Sequence, residues 1–510
     1  MNASVWQVIE LEFESTIAFA NPYLEFDFEV VFTAPSGSTL TRPAFWSGRS
    51  SWIVRFAAPT PGLWKWHSTS SDPGLRGSGE FQVSENTSAN KFFKHGFLKM
   101  SPKGRSVVHA DGTPFLIAAD TAWALPWRAT IDDLKIYARD RYNKGFNATL
   151  LMTVQPDMDA RGPQDRNLDE GFDVAFEDLQ DGRLTKLNPS YFDYFDQLHQ
   201  ILIEHGIVPI LQPVFQGFGW KGLRVAGKEV PAAEYARYCR YLVARYGASP
   251  AIYLPGADGV GTYAQISAGG KEIEAADCYA QPTGVHYQPH TRANSHQDES
   301  WLDFQWCQTG HGGDHAPQRV AEMWLATPAK GVANAEPSYE NNEMPGRASG
   351  WWQGTEAWVN LAAGGTMGAF YGAASLWQWR LHKDEPGHAV GFINPDAGWR
   401  EALDYEGSRY VGLVAKILEG LPTTDMEPSV EHAISPHGLI VPGRIFIAYQ
   451  EHGGRLMIMD DEIGRNYRIV DPKTGLTVDE GVRPEPNPAD QTTRWIEHPA
   501  GDPRVYICWF

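Results

Sequence analysis

The chain has 510 residues, 42% hydrophobic and 21% charged, a composition typical of a folded protein with more than one domain. Its formal net charge of -19 repels phosphate backbones and anionic lipid, so we expect neither nucleic acid nor a membrane as a partner. Four scattered cysteines form no CxxC pair, and the N-terminus lacks the basic and apolar regions of a secretory signal. We therefore predict a cytoplasmic protein without a disulfide framework, and the oligomeric state stays open.

Residues 1–95 resemble a series of short strands separated by turns. Every second side chain from Leu24 to Phe32 is apolar, the period of a half-buried strand. The runs SWIVRFAAP, GLWKWHSTS and GEFQVSE follow, spaced by Gly, Pro and Ser. This pattern predicts an N-terminal β-sandwich over residues 1–95.

Residues 96–427 alternate compact apolar runs with helical segments. One helix is expected between Thr130 as N-cap and Gly145 as C-cap, and another between Asn188 and Gly206. The eight strand candidates are PFLIAAD, FNATLLMTV, VPILQPVF, AIYLPGADG, GVHYQPH, DFQWCQTGH, GVANAEPSYE and GAFYGAASLWQW. Eight such units predict an α/β fold, the (β/α)8 TIM barrel. Further strand-like runs predict a small C-terminal β-sandwich over residues 428–510.

In a (β/α)8 barrel the active site forms at the carboxyl ends of the strands. The predicted strand ends carry carboxyl groups, aromatic rings and amides, which suit a small, neutral, hydroxyl-rich ligand such as a carbohydrate. No GxGxxG or GxxxxGK[ST] motif follows the first barrel strand, and no cofactor is expected. The predicted substrate-binding residues are Asp120, Trp123, Gln155, Gln212, Phe215, His286, Tyr287, Gln308, His311, Tyr339, Trp377 and Gln378.

Two further strand-end residues, Asp258 and Glu336, are the candidate catalytic groups. Cleaving a glycosidic bond requires one carboxyl group to protonate the departing oxygen and a second to attack or stabilise the anomeric carbon. Asp258 lies between Gly256 and Gly259, where the backbone can approach a ligand, although an aspartate before glycine also commonly caps a turn. Glu336 ends a hydrophobic strand and is poorly suited to capping, which favours a functional role.

Two histidine pairs resemble metal-ligand spacings. They are His286 with His290, and the two histidines of HGGDH over residues 311–315. The first pair lies at a predicted strand end, where the side chains need not point the same way, and no HExxH motif is present. We predict no metal site, and a metal-dependent hydrolase stays an alternative. The chain also lacks the GxSxG motif of serine hydrolases.

The segments ADTAW, GADG, WLDFQWCQTGHG, AEPSYE and SLWQW, in this order, resemble the apiosidase-like glycoside hydrolases (glycoside hydrolase family 140). The flanking β-rich segments are also similar to that family, so the resemblance covers nearly the whole chain. It implies that Asp258, after strand 4, is the acid/base, and that Glu336, after strand 7, is the nucleophile of a retaining reaction. The chain departs from the family in PGADG, where GGD is usual, in Ala335 for glycine, and in the long acidic loop over residues 155–187.

The leading hypothesis is a retaining glycosidase that removes a terminal sugar from an oligosaccharide or small glycoside. A furanose such as apiose is implied by the resemblance alone, and the departures put the substrate in question. The alternative from a different class is a non-catalytic carbohydrate-binding scaffold with a degenerate barrel. The two differ in whether a bound glycoside is turned over.

Overall fold

The structure is a computed structural model that describes residues 2–217, 219–221, 224–289, 291, 294–309, 315, 317–342, 346–386, 395, 397–459, 463–487, 489–490 and 494–510. The N-terminal strands are β1 (Asn2–Ser4), β2 (Val8–Glu14), β3 (Glu29–Thr33), β4 (Thr39–Pro43), β5 (Phe45–Gly48), β6 (Ser51–Ala57), β7 (Gly62–Ser68) and β8 (Gly77–Ser84). They form a five-stranded sheet of order β1-β8-β7-β3-β4 and a three-stranded sheet of order β2-β6-β5. Aromatic and branched side chains from both sheets form a shared core.

The alternating segment from Leu24 to Phe32 is a strand only in its second half. Asn21 caps a short helix, α1 (Pro22–Glu25), by accepting a hydrogen bond from the backbone N–H of Leu24. Proline at the first helical position favours this turn, so the local Asn-Pro signal overrides the period-two pattern until β3 begins at Glu29.

Eight parallel strands form the barrel, and this confirms the predicted fold class. A small antiparallel sheet precedes them, made of β9 (Leu98–Met100), β10 (Val107–His109) and β11 (Pro114–Phe115). The barrel strands are β12 (Ile117–Thr121), β13 (Ala148–Met152), β14 (Val208–Gln212), β15 (Ile252–Gly259), β16 (Thr283–Tyr287), β17 (Phe304–Gln308), β18 (Gly331–Glu336) and β19 (Gly368–Tyr371). The sheet has the order β18-β17-β16-β15-β14-β13-β12-β19. A parallel bridge between Glu340 and Ala373 and a hydrogen bond from Met367 N to Val332 O join its two ends.

Helices surround the barrel and cover the apolar outer faces of its strands. After α1, they are α2 (Lys91–Lys94), α3 (Leu125–Arg128), α4 (Ile131–Lys144), α5 (Pro189–Glu204), α6 (Ala226–Glu229), α7 (Ala232–Tyr246), α8 (Ala264–Ala276), α9 (Gln318–Leu325), α10 (Trp351–Ala362), α11 (Ala374–Trp377), α12 (Trp399–Leu403) and α13 (Glu406–Leu418). The caps predicted for α4 are confirmed: Thr130 accepts from the N–H of Asp133, and Gly145 has a φ of 104°. No helix within the described ranges combines the length and apolarity needed to cross a membrane.

The C-terminal segment returns to antiparallel β-structure. Its strands are β20 (Glu427–Pro428), β21 (Gly438–Val441), β22 (Ile445–Gln450), β23 (Leu456–Met457), β24 (Asn466–Val470), β25 (Thr477–Val482), β26 (Trp495–Ile496) and β27 (Arg504–Trp509). They form a six-stranded sheet of order β20-β21-β22-β27-β24-β25 and a two-stranded sheet of β23 and β26.

A buried ion-pair network joins the N-terminal sandwich to the barrel. Arg55 of β6 contacts Asp196 of α5 at 2.6 Å, and Arg245 of α7 contacts the same carboxylate at 2.8 Å. Arg42 of β4 adds a hydrogen bond of 2.8 Å from Nη2 to the backbone carbonyl of Val243. Asp196 is therefore the carboxylate that the two arginines share, and each arginine has one further, more exposed acid partner, Glu10 for Arg55 and Asp193 for Arg245.

Replacing Asp196 with Ala is expected to lower the free energy of unfolding by about 3–5 kcal/mol, because the buried carboxylate shared by Arg55 and Arg245 is lost and only the half-exposed acids Glu10 and Asp193 remain beside them. Burial alone would raise the pKa of Asp196, but Arg245 and Arg55 lower it below its usual value. The stabilisation is therefore present above the usual aspartate pKa and is lost as the pH falls. Denaturant unfolding at pH 7 measures the first effect, and a comparison with pH 3 or below, under the usual aspartate pKa, measures the second. The control is Asp193→Asn. It weakens a second ion pair of Arg245, but the Asp193 side chain is 61% exposed, so the free energy of unfolding should change by less than about 1 kcal/mol.

Candidate active site

The strand register brings several predicted residues to one end of the barrel interior. His286 of β16 is in register with Trp306 of β17, and Gln308 of β17 with Glu336 of β18. Paired residues of neighbouring parallel strands point to the same face, and Trp306 belongs to the barrel core. His286, Gln308 and Glu336 therefore face inward at the carboxyl ends of their strands.

Asp258 reaches the same place through an irregularity of β15. The register with β16 shifts between Ala257 and Gly259, and Asp258 has a φ of 53°, in the left-handed region. Gly217 leaves the space for it, because a Cβ there would lie 2.3 Å from Cβ of Asp258 and 2.6 Å from Cζ of Phe215. A strained backbone held by close packing is characteristic of functional positions.

Asp258, His286 and Glu336 form a compact buried group. The imidazole of His286 lies between the two acids, with Nδ1 3.6 Å from Oδ1 of Asp258 and Nε2 3.9 Å from Oε2 of Glu336. One ligand atom from each of the three side chains lies within 4.8 Å of the other two. A carboxyl oxygen of Asp258 is therefore within 4.8 Å of a carboxyl oxygen of Glu336. Gln308 donates a hydrogen bond from Nε2 to Oδ1 of Asp258.

The surroundings of Asp258 favour its protonated form. Burial raises its pKa well above the usual aspartate value, and the neighbouring Glu336 raises it further. The hydrogen bond from Gln308 and the charge of Lys228 act in the opposite direction and are the smaller effects. A proton held at Asp258 beside a second carboxyl group is the arrangement required of a general acid.

Aromatic rings surround this group. The ring centroid of Trp123 lies 5.9 Å from that of Phe215 and 6.3 Å from that of His286. Tyr339 is buried, and a Cβ on Gly372 would lie 2.1 Å from its Cε1, so the tyrosine ring packs directly on the backbone of the segment after β19. Burial and the charge of Glu336 raise the pKa of Tyr339, while hydrogen bonds with Thr121 and Trp123 oppose the rise.

Two predicted glutamines carry buried polar atoms. Gln212 is in register with Met152 and, like it, faces the barrel interior, and it is fully buried. Within the residues that the structure describes, neither amide atom of Gln212 has a hydrogen-bond partner, nor has Oε1 of Gln155. An unpaired buried amide costs about 1–3 kcal/mol, which a hydroxyl-bearing ligand can recover by hydrogen bonding.

The predicted roles of Asp120 and Tyr287 are corrected by the structure. Asp120 points outward from β12, where Nε of Arg141 on α4 donates to its Oδ2 at 2.6 Å and both side chains are buried. Tyr287 points to the opposite side of β16 from its neighbour His286, and it packs with Trp301. Side chains alternate along a strand, so the position next to an inward-facing residue faces outward.

The placement of Trp377 and Gln378 at a strand end is wrong, because β19 ends at Tyr371 and the helix α11 follows. Their role in substrate binding stays a prediction. The backbone carbonyls of these two residues accept hydrogen bonds from Ala124 N and from Nη1 of Arg128. The predicted substrate-binding residue His311 lies outside the described residues, and so does His290, the histidine whose spacing from His286 resembles that of metal ligands.

Within the described residues, one group has the spacing that a metal ion requires, namely Asp258, His286 and Glu336. An imidazole and two carboxylates are suitable zinc ligands. A metal-dependent hydrolase would therefore use the same residues as the candidate acid pair. From the HGGDH segment, the structure describes only His315, whose ring stacks on Trp352 at 4.0 Å.

Two buried polar residues of α10, Gln353 and Glu356, were missed by the sequence reasoning. Both are 1% exposed and both contact Ser338, two residues after Glu336. The available signal was a glutamine and a glutamate three positions apart in a helix, WWQGTEAWVNLA, that has no other charged group and is mostly apolar, because such side chains are buried only with partners.

Comparison with known proteins is consistent with this architecture. The model of the family "Apiosidase-like, catalytic domain" matches residues 101–425, and a "Domain of unknown function (DUF5060)" matches residues 2–71. No curated protein matches the chain. A Bacteroides vulgatus protein provisionally named a glycoside hydrolase shares the fold with a TM-score of 0.72 at 15% identity, over 100% of both chains. A glycoside hydrolase family 5 protein from the same species has a TM-score of 0.66 at 19% identity, over 83% of this chain and 95% of its own.

The fold is that of a (β/α)8 barrel, and the family match assigns the protein to the glycoside hydrolase class. The family match spans well over half of the chain. The chain belongs to the apiosidase-like catalytic domain family, which confirms the resemblance seen in its sequence.

Proposed function

We propose that this protein is a retaining glycoside hydrolase in which Asp258 is the acid/base and Glu336 the nucleophile. The single observation that carries the proposal is the spacing of the two carboxyl groups, which approach within 4.8 Å. Retaining enzymes hold these groups about 5–5.5 Å apart, whereas inverting enzymes need about 6.5–9.5 Å to admit a water molecule.

In the first step, Asp258 gives its proton to the glycosidic oxygen as the bond to the anomeric carbon breaks. An oxygen of Glu336 forms an ester bond to that carbon, and the leaving group departs with the proton. In the second step, the Asp258 carboxylate takes a proton from water, and the oxygen of that water attacks the anomeric carbon. The ester bond breaks, Glu336 is released, and the sugar keeps its anomeric configuration.

His286 and Gln308 support this chemistry from the barrel wall. His286 lies between the two acids, where its ring can interact with either carboxyl group, and Gln308 donates to the oxygen of Asp258. Trp123 and Phe215 offer apolar ring faces near the acids, and such faces bind the apolar side of a sugar ring. We further propose that Trp123, Phe215, Gln155, Gln212 and Tyr339 contact the sugar.

The substrate of the proposal is a terminal sugar on an oligosaccharide or small glycoside. The description of the family points to apiose, a furanose, and we include apiose for that reason alone. The amide groups of Gln155 and Gln212 support a hydroxyl-rich ligand of either ring size.

A panel of aryl furanosides and pyranosides tests the function. We expect turnover of at least one glycoside, with ¹H NMR showing that the first-formed product has the anomeric configuration of the substrate. Activity should be unchanged after treatment with a strong chelator. Loss of activity with the chelator would favour the metal-dependent alternative. A product of inverted anomeric configuration would exclude Glu336 as a nucleophile that forms a covalent intermediate. Binding of a glycoside without turnover would support the non-catalytic scaffold.

Replacing Gln212 with Met is expected to separate stability from activity. Methionine has a similar size but no buried unpaired amide, so the free energy of unfolding should rise by about 1–3 kcal/mol. The sugar loses a hydrogen-bond partner, so kcat/KM should fall about 10- to 100-fold. Thermal unfolding and steady-state kinetics on the responsive glycoside measure the two effects.

Gln281 provides the matched control for this substitution. It is a buried glutamine whose Oε1 accepts from Ala251 N at 2.7 Å and whose Nε2 donates to Gly247 O at 3.1 Å. Gln281→Met should therefore destabilise the protein and leave kcat/KM unchanged. A Gln212→Met variant that is less stable than the native protein, with normal kinetics, would show that Gln212 has a structural role instead.

A further inference from the structure

The segment that follows Glu336 is held by one helix through the two backbone groups of a single residue. The N–H of Ser338 donates to Oε2 of Glu356 at 3.2 Å, and Nε2 of Gln353 donates to the carbonyl of Ser338 at 2.8 Å. Gln353 and Glu356 are three positions apart on α10 and therefore lie on the same face of the helix. We call this pair of contacts the Ser338 clamp.

The clamp places polar groups where burial is costly. Gln353 and Glu356 are each 1% exposed on a helix whose buried side is otherwise largely apolar. Burial raises the pKa of Glu356 to about 8, although hydrogen bonds with Ser338 and Trp352 lower it. At neutral pH the Glu356 side chain is therefore largely an uncharged carboxylic acid, which a glutamine can imitate.

The remainder of this segment is anchored independently. Glu340 N donates to Gly372 O at 2.9 Å, and the Glu340 carboxylate accepts from Tyr371 OH at 2.7 Å and from Gly350 N at 2.8 Å. The chain is thus fixed at residue 340 and, through the clamp, at residue 338. Between the clamp and Glu336 there is only Pro337, whose ring locks its φ angle.

We propose that Glu356 and Gln353 are positioning residues that hold Glu336 in the orientation for attack on the anomeric carbon. This inference rests on the proposed function, in which Glu336 is the nucleophile. Because the proline link is stiff, a shift of the Ser338 peptide is transmitted to Glu336. A misplacement of about 1 Å at a reacting atom can cost about 100-fold in rate.

The test compares Glu356→Ala with Glu356→Gln in the full-length protein. Alanine removes the acceptor for Ser338 N–H, and we expect kcat to fall about 10- to 100-fold with KM nearly unchanged. Glutamine keeps a carbonyl oxygen in place, so kcat should stay within about threefold of the native value. The control Thr355→Ala removes a buried contact of the same helix, between Thr355 Oγ1 and Tyr449 OH at 3.0 Å, and it should lower stability without changing kcat.

A native-like kcat for Glu356→Ala, or equal losses in the alanine and glutamine variants, would overturn the proposal. Amide hydrogen exchange of the peptide covering residues 336–342 gives a second reading that needs no turnover. Exchange there should be faster in Glu356→Ala and native-like in Glu356→Gln and Thr355→Ala. If the native protein hydrolyses no glycoside, the proposed function fails, while the exchange result still decides whether the clamp exists.

Discussion

Replacing Glu336 with Gln should lower kcat by about 10⁴-fold or more on every glycoside that the native protein hydrolyses. The substitution keeps the size of the side chain but removes the oxygen nucleophile that forms the ester bond. Folding should be retained, because glutamine can occupy the same buried position. Stopped assays with a sensitive aryl glycoside measure the rate, and far-ultraviolet circular dichroism checks the fold.

Glu340 is the matched control for this prediction, since it is the second glutamate of the same AEPSYE motif. Its carboxylate accepts hydrogen bonds from Gly350 N, Gly407 N and Tyr371 OH, and it faces away from the acid pair. Glu340→Gln should lower the free energy of unfolding by about 1–3 kcal/mol and keep kcat within about tenfold. Retained activity in Glu336→Gln would contradict the assigned nucleophile.

Replacing Asp258 with Asn should give a loss that depends on the leaving group. Alkyl glycosides need protonation as the bond breaks, so their kcat/KM should fall about 10²- to 10⁴-fold. Dinitrophenyl glycosides leave without a proton, so their kcat/KM should be nearly native. Added azide should restore the second step for the dinitrophenyl substrate, because it needs no general base.

The role of Asp258 as the acid also predicts the direction in which kcat/KM changes with pH. Burial and Glu336 raise the pKa of Asp258, so the acid stays protonated at higher pH than an ordinary aspartate. Native kcat/KM should therefore fall as the pH rises through that raised pKa, and this alkaline limb should be missing in Asp258→Asn. The control is Asp303, which lies directly before β17 at the opposite end of the barrel and whose pKa burial raises to about 6. An alkaline limb that survives in Asp258→Asn, or that disappears in Asp303→Asn, would assign the acid role to another group.

The strands of the barrel and the meeting of its two acids were predictable from sequence. Runs such as IYLPGA and GVANA are short, apolar and interrupted by helices, and each is followed at once by a carboxyl group. Parallel strands end at the same rim, so residues almost eighty positions apart could be expected to meet there. The resemblance to the family pointed to the same two residues.

The direction of individual side chains could not be predicted in the same way. Successive side chains of a strand point to opposite faces of the sheet. An error of one position in the predicted strand therefore assigns residues such as Asp120 and Tyr287 to the wrong face. The bulge at Asp258 and its left-handed backbone depend on packing against Gly217, which is distant in sequence. The contact of Gln353 and Glu356 with Ser338 likewise depends on how α10 lies against the end of β18.

Covalent trapping tests the central claim most directly. The native protein is incubated with a 2-deoxy-2-fluoro aryl glycoside of the sugar found in the panel, digested, and analysed by mass spectrometry. We predict that one fluorosugar is attached through an ester to the peptide containing Glu336, and that Glu336→Gln is not labelled. Labelling of a different carboxyl group, or turnover with inversion and no trapped ester, would contradict the account.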